Sequence, residues 1–129
     1  MMQSLLLDDP DFLRNVLESS SDCIDVLDLA GHLEFINASG VVSMELASAK
    51  DVLGKVWLDF WQAEASGPAR LAVDAARAGN LGHFTGYCPT AKGTPKWWDV
   101  RITPIRDASG RVERLLAISR DITEARLAL

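Results

Sequence analysis

The sequence predicts an α+β domain in which a five-stranded antiparallel sheet is covered on one face by short helices. Two observations lead to this prediction. Five short apolar segments, two before residue 38 and three after residue 80, are flanked by turn residues and have the character of strands. Between these two groups the residues lose the strand pattern and form short helix-like pieces. An antiparallel sheet with an apolar face needs a cover, and this middle region can supply it.

Composition limits the classes of function. The 129 residues, 48% hydrophobic and 24% charged, are sufficient for one globular core. The formal net charge of -5, without a cluster of Lys and Arg, argues against nucleic-acid binding and against contact with an anionic membrane. Cys23 and Cys88 are far apart, so neither a disulfide framework nor a metal site is predicted, and a reducing cytoplasm is the expected location. The first ten residues resemble neither a signal peptide nor a membrane span.

The first helix is predicted over residues 10–17, with Asp9 as its N-cap and Pro10 at its first position. Its apolar residues form one stripe, which consists of Phe12, Leu13, Val16 and Leu17. Leu5–Leu7 precede this stripe. The combined apolar surface exceeds what a short isolated helix can hide, so we expect it to mediate homodimerisation.

The first hairpin is predicted over residues 23–29 and 32–37, with a turn at Ala30 and Gly31. Ile24 and Val26 alternate with Asp25, so we expect the aliphatic side chains to face the core. The strand and turn carboxylates are expected to face solvent rather than to act as general acids or bases; they are Asp25, Asp28, Glu34 and Asp99.

The remaining elements are one longer helix and three strands. Pro68 begins the helix, and Gly79-Asn80 ends it. The predicted apolar face of this helix consists of Leu71, Ala72, Ala75 and Ala76. Three strands follow over residues 81–88, 96–106 and 111–120, joined by turn-rich segments that favour consecutive hairpins.

Three stretches resemble the PAS (Per-Arnt-Sim) sensor domains of bacterial histidine kinases and cyclic-di-GMP enzymes. They are SDCIDVLDLAGHLEFINASG, GTPKWWDVRITPIRDASGRV and ISRDITE. The resemblance extends over nearly the whole chain and implies the sheet order 2-1-5-4-3. It divides the chain into an N-terminal flanking helix (1–20), a PAS core (21–122) and the start of a C-terminal signalling helix (123–129). It also implies a pocket between the sheet and the middle helices.

We predict that nine residues form this pocket: Ile24, Val26, Trp57, Trp61, Leu71, Phe84, Val100, Ile102 and Ile118. A small apolar or aromatic molecule is the expected occupant. Because Trp57 and Trp61 are four residues apart, they share a face of a helix. Both core packing and a ligand-contacting wall are consistent with this spacing.

The cofactor signatures of the family are missing from the sequence. Residues 59–67, DFWQAEASG, stand where photochemical flavin-binding relatives carry an N-C-R-F-L-Q-like run around a reactive cysteine. Residues 67–79, GPARLAVDAARAG, contain none of the axial histidines found in heme-binding relatives. Heme and a photochemical flavin are therefore not expected. A flavin bound without photochemistry beside a tryptophan stays an alternative.

The resemblance implies a non-catalytic sensory module that dimerises and relays a signal to a kinase or cyclase domain of the same protein. Asp121, Ile122, Thr123 and Glu124 are the predicted transmission segment, with Asp121 and Glu124 as the two ends of a capping box. One alternative is a PAS module whose interior is filled by side chains and which only dimerises and relays. Another is a small enzyme with a buried base, which is disfavoured because no titratable pair falls among the predicted pocket residues.

Overall fold

Five antiparallel strands form one sheet in the order β2-β1-β5-β4-β3. The strands are β1 (Cys23–Leu27), β2 (Leu33–Ile36), β3 (Gly82–Tyr87), β4 (Trp97–Arg106) and β5 (Val112–Asp121). The computed structural model describes residues 8–127, so the Leu5–Leu7 part of the predicted dimerisation stripe lies outside the described residues. The predicted fold class and strand order are confirmed.

The short helices between β2 and β3 cover the inner face of this sheet. The α-helices are α1 (Pro10–Glu18), α2 (Ala38–Ser43), α3 (Ser66–Arg77) and α4 (Thr123–Leu127). Single turns of 3-10 helix span Ala49–Asp51, Trp57–Phe60 and Ala63–Ala65. Among residues 8–127, every helix is too short or too polar to cross a membrane.

Helix α1 begins as the sequence predicts. The Asp9 side chain accepts a hydrogen bond from the backbone N–H of Asp11, and Pro10 occupies the first helical position. No residue of α1 is buried, and Phe12, Leu13 and Val16 are all exposed. Residues 8–127 of a single copy therefore leave Phe12, Leu13 and Val16 of this stripe uncovered.

Asn37 fastens α1 to the rest of the domain. Its Oδ1 accepts hydrogen bonds from the backbone N–H groups of Ile24 and Gly40, both at 2.9 Å. Its Nδ2 donates to the carbonyl oxygens of Leu17 at 3.1 Å and Asp22 at 3.0 Å. The side chain is fully buried, and both of its amide hydrogens are used. One amide therefore connects α1, β1 and the start of α2.

The apolar face of α3 differs from the predicted one. Four small residues are buried against the sheet: Ala69, Ala72, Val73 and Ala76. Leu71 is 72% exposed, so its assignment to the pocket is wrong. The small side chains allow close contact, because a Cβ at Gly82 on β3 would lie 2.1 Å from the carbonyl oxygen of Ala72. Close packing of helix on strand, rather than the bulk of Leu71, decided which face is buried.

Strand β1 also faces the opposite way from our prediction. Cys23, Asp25 and Leu27 face inward, toward the helices. The alternate residues Ile24 and Val26 lie on the outer face, where they pair in register with Ile118 and Leu116 of β5. Asp25 is 5% exposed, so the prediction that it faces solvent is wrong. Ile24 on the opposite face is 6% exposed, and a strand buried on both faces has no alternation from which its direction can be predicted.

Candidate functional site

A cavity of about 930 Å³ lies between the inner face of the sheet and the segment that joins α2 to α3. Its inner wall comes from strands and from the tryptophan-containing turn, and includes Cys23, Asp25, Trp57, Trp61, Trp98 and Ser119. Its mouth carries exposed residues, among them Lys50, Asp51, Lys55 and Gln62. Ligand pockets in proteins usually have volumes of about 300–1,000 Å³, so the cavity is of the size expected for a small organic molecule.

Three aromatic rings pack together at one side of the cavity. The ring centroids of Trp57 and Trp61 are 5.5 Å apart, and the Phe84 ring lies edge-on to Trp61 at 4.9 Å. The sequence DFWQ ends the 3-10 turn at Phe60, so Trp61 follows the turn directly and still shares the buried side with Trp57. Trp57 and Trp61 thus serve both as core and as cavity wall.

The indole N–H of Trp61 is buried and has no hydrogen-bond partner among the described residues. The other two cavity tryptophans differ in this respect. Trp57 Nε1 donates to Asp25 Oδ2 at 3.1 Å, and Trp98 Nε1 donates to the carbonyl oxygen of Cys88 at 2.9 Å. An unsatisfied buried donor costs about 1–3 kcal/mol, and an acceptor that reached the Trp61 N–H would remove this cost.

Asp25 is the charged group of the inner wall. Burial raises its pKa from 3.8 to about 7, although the hydrogen bonds from Cys23 Sγ and Trp57 Nε1 act in the opposite direction. No Lys, Arg or His within residues 8–127 lies within ion-pair distance of this carboxyl group. A buried carboxyl beside a cavity, with a pKa close to neutrality, is a common feature of functional sites.

The two cysteines of the cavity are unreactive. Burial raises the pKa of the Cys88 thiol to about 11. Burial also raises the pKa of the Cys23 thiol well above its usual value, with the nearby Asp25 carboxylate as the next cause. Both thiols are free and protonated at neutral pH, and thiolate chemistry is therefore suppressed.

The structure brings together only part of the predicted pocket. Trp57 and Trp61 line the cavity. Phe84, Val100 and Ile102 are buried in the main core but do not line it. The other predicted residues were misplaced: Ile24, Val26 and Ile118 lie on the outer face of the sheet, and Leu71 on the exposed face of α3.

Sequence reasoning missed the polar groups of the inner wall. Asp25 interrupts an otherwise apolar strand that lies in the interior of the sheet, and this interruption was the available signal. A carboxylate in such a strand must be paired, protonated or functional, because burial of an isolated charge is costly. Ser119 has no comparable signal, whereas the alternation of Trp98, Val100 and Ile102 with more polar residues along β4 indicates that Trp98 faces the core.

The exit segment is connected to β4. Asp121 Oδ1 accepts hydrogen bonds from the backbone N–H and the hydroxyl of Thr123, at 3.0 and 2.6 Å. Thr123 Oγ1 in turn accepts from the backbone N–H of Trp97 at 2.9 Å, and the Arg126 guanidinium lies 3.9 Å from the centroid of the Trp97 ring. Asp121 is therefore an anchor for the start of the helix, as predicted.

The predicted capping box is only half formed. Helix α4 begins at Thr123 rather than at Ile122, and the Glu124 side chain makes no hydrogen bond to the backbone within the described part of the chain. Lys96, the residue before β4, contacts the Asp121 side chain instead, because its Nζ lies 3.2 Å from Asp121 Oδ2. An ion pair therefore holds the Asp121 carboxylate in addition to its bonds to Thr123.

Solved structures share this architecture. One is an RNA-binding light-oxygen-voltage receptor, with a TM-score of 0.80 and 20% identity over 91% of this chain. The chain spans about a third (34%) of that receptor's length. The PAS domain of an HTR-like protein from Haloarcula marismortui gives a TM-score of 0.71 and 24% identity, covering 94% of this chain and 98% of that one. The PAS domain of a protein from Colwellia psychrerythraea gives a TM-score of 0.72 and 18% identity, covering 88% of this chain and 97% of that one.

These likenesses, together with the strand order, show the fold class: an antiparallel sheet with a helical cover of the kind found in PAS domains. The sequence profile of the PAS fold matches residues 17–127. The chain therefore belongs to the PAS family, whose members are generally non-catalytic modules that sense signals. A search of curated proteins found no match.

Proposed function

We propose that this chain is the ligand-binding sensory module of a larger cytoplasmic signalling protein. In this proposal a small apolar or aromatic molecule occupies the cavity, the module dimerises through α1, and the exit segment relays occupancy to an effector such as a histidine kinase or a cyclase. The single observation that carries the proposal is the cavity of about 930 Å³, which the buried Asp25 and Trp61 line. A module filled by its own side chains would leave no such volume.

Native mass spectrometry tests ligand binding. We expect the mass of the folded protein to exceed the mass of the denatured chain by that of one small molecule, or to do so after incubation with small aromatic compounds. The denatured mass is the internal control. Identical masses before and after incubation would instead favour the filled module that only dimerises and relays.

The relay is supported by the contacts of Lys96. Its Nζ donates to the carbonyl oxygen of Ser43 at the end of α2 and pairs with Asp121 at the exit. It also lies 5.7 Å from the centroid of the Trp98 ring, which forms part of the cavity wall. A change in the position of Trp98 or α2 on ligand binding would therefore reach Asp121 through one side chain.

We expect Asp121→Ala to abolish signal transmission while the domain stays folded. The substitution removes the two bonds to Thr123 and the ion pair to Lys96, and a lost helix cap costs about 1 kcal/mol. The domain should stay folded, while the effector of the full-length protein should lose its response to the stimulus. The measurement is effector activity with and without stimulus.

Asp107→Ala is a matched control for this variant. Asp107 makes similar local bonds to Ser109 and Arg111 in the turn between β4 and β5, but it does not contact Lys96 or α4. Regulation of wild-type amplitude in a folded Asp121→Ala protein would contradict the relay.

Dimerisation through α1 is supported by its exposed stripe. The helix is held at its C-terminal end by polar bonds, from Asn37 to the Leu17 carbonyl and from the Ala38 N–H to the Glu18 carboxylate. Phe12, Leu13 and Val16 are left without cover by the described residues. A second copy of α1 would bury them.

We expect replacement of Phe12, Leu13 and Val16 by serine to convert a dimer into a monomer, because the stripe supplies the apolar area of the contact. Light scattering of the purified protein gives the mass directly. Arg14→Ser, on the same exposed helix, should leave the dimer intact. The prediction is wrong if the triple variant remains dimeric or if the unmodified chain is monomeric at high concentration.

A further inference from the structure

The Asp25 carboxyl has unused capacity as a hydrogen-bond acceptor. It accepts one hydrogen bond from Trp57 Nε1, at 3.1 Å, and one long contact from Cys23 Sγ, at 3.5 Å. A carboxylate offers about four acceptor positions. Asp25 lines the cavity, so a molecule bound there is the natural partner for the remaining positions.

Trp61 lines the same cavity, and its indole N–H is buried without a partner among the described residues. The Trp61 ring lies 5.5 Å from the ring of Trp57, and Trp57 is bonded to Asp25. One small molecule can therefore meet the acceptor of Asp25 and the donor of Trp61 at the same time. The walls around it also include the aromatic residues Phe60, Tyr87 and Trp98.

Resting on the proposed function, we propose that the cavity selects a small organic ammonium compound, whose charged nitrogen meets Asp25 and whose oxygen acceptor meets Trp61. Two physical reasons favour a cation over a neutral molecule. A buried carboxylate without a counter-charge is costly, and an ammonium group supplies that charge. The faces of tryptophan and tyrosine rings also attract cations.

The other ionisable groups around the cavity do not replace this cation. The neighbouring thiols of Cys23 and Cys88 are protonated and neutral at physiological pH. The charged residues of the lining, Lys50, Asp51 and Lys55, are exposed at its mouth. Their charges are screened by solvent, so Asp25 alone sets the charge of the inner end.

Calorimetric titration with tyramine and with tyrosol, its alcohol counterpart, tests the proposal on the purified chain. At about pH 8, where Asp25 is ionised, tyramine should bind roughly ten-fold more tightly than tyrosol, the size of one charge-assisted hydrogen bond. At about pH 6 Asp25 is protonated, so the affinity for tyramine should fall while that for tyrosol stays constant.

Two variants assign the effect to its residues. Asp25→Asn should abolish the preference for the amine, whereas the exposed Asp59→Asn, outside the cavity lining, should preserve it. Trp61→Phe should abolish the advantage of tyramine over phenethylamine, which lacks the phenolic oxygen.

Equal affinity for tyramine and tyrosol at about pH 8, or an amine preference that survives Asp25→Asn, overturns the ammonium inference but does not contradict the proposal that the cavity binds a ligand. Failure of both probes to bind, together with identical native and denatured masses, overturns both proposals.

Discussion

Replacement of Asp25 by asparagine is expected to stabilise the chain above neutral pH. Burial raises the pKa of this carboxyl from 3.8 to about 7, so ionisation in the folded protein is costly. A change of one in a pKa corresponds to about 1.4 kcal/mol, and the cost of ionisation above pH 7 is therefore on the order of 4 kcal/mol. Asparagine keeps an oxygen for the Trp57 N–H and carries no charge. The free energy of unfolding should increase by up to that amount.

The raised pKa of Asp25 fixes the direction in which stability changes with pH. Between about pH 4 and pH 7 the folded state binds more protons at Asp25 than the unfolded state does, so the free energy of unfolding falls as the pH rises. Below about pH 4 the carboxyl is protonated in both states, and the difference between wild type and variant should disappear. The raised thiol pKa values of Cys23 and Cys88 place their titration above this window.

Urea unfolding at a series of pH values measures this effect. The exposed Asp59→Asn is the control, and its stability should follow the wild-type curve. A constant difference between Asp25→Asn and wild type from pH 4 to pH 8 would show that burial does not perturb the carboxyl. That result would also count against a functional role for Asp25. The proposed ammonium ligand compensates the cost of ionising this buried carboxyl, and without such a cost there is nothing to compensate.

Gly82→Ala is expected to destabilise the domain by about 3 kcal/mol or more, the upper part of the range for overpacked cores. The new Cβ would lie 2.1 Å from the Ala72 carbonyl oxygen and 2.8 Å from its Cα. Both are backbone atoms of α3, so the helix must move away from β3 as a unit. The 3-10 turns at Trp57–Phe60 and Ala63–Ala65, which form part of the cavity wall, contact α3 and would be displaced with it.

Gly67→Ala is the matched control for Gly82→Ala. Gly67 lies in the first turn of α3, and nothing stands within 4 Å of the position of its Cβ. Alanine there should be neutral or should stabilise the helix by up to about 1 kcal/mol. Thermal unfolding of the two variants under one condition decides the matter, and equal midpoints would contradict the close approach of α3 and β3.

The order and type of the elements were determined by the sequence alone. Asp9 and Pro10 mark the start of α1 by local chemistry, because a side chain near the first turn satisfies a free N–H. The turn residues around Gly31 and Gly110, both with positive φ, likewise predicted the hairpins. The four-residue spacing of Trp57 and Trp61 put both rings on one side. These features depend on residues adjacent in the chain.

The composition of the site was decided only by the tertiary structure. Whether Asp25 or Ile24 faces inward depends on which face of β1 the helices cover, and both faces are buried. Burial of Ala72 rather than Leu71 follows from the close approach of α3 to Gly82, a contact between distant parts of the chain. The apolar pattern of a sequence indicates which side chains are buried, but a cavity is the space that packing leaves empty. The cavity could not be predicted because Asp25, Trp61 and Trp98, which surround it, are far apart in the chain and meet only through tertiary contacts.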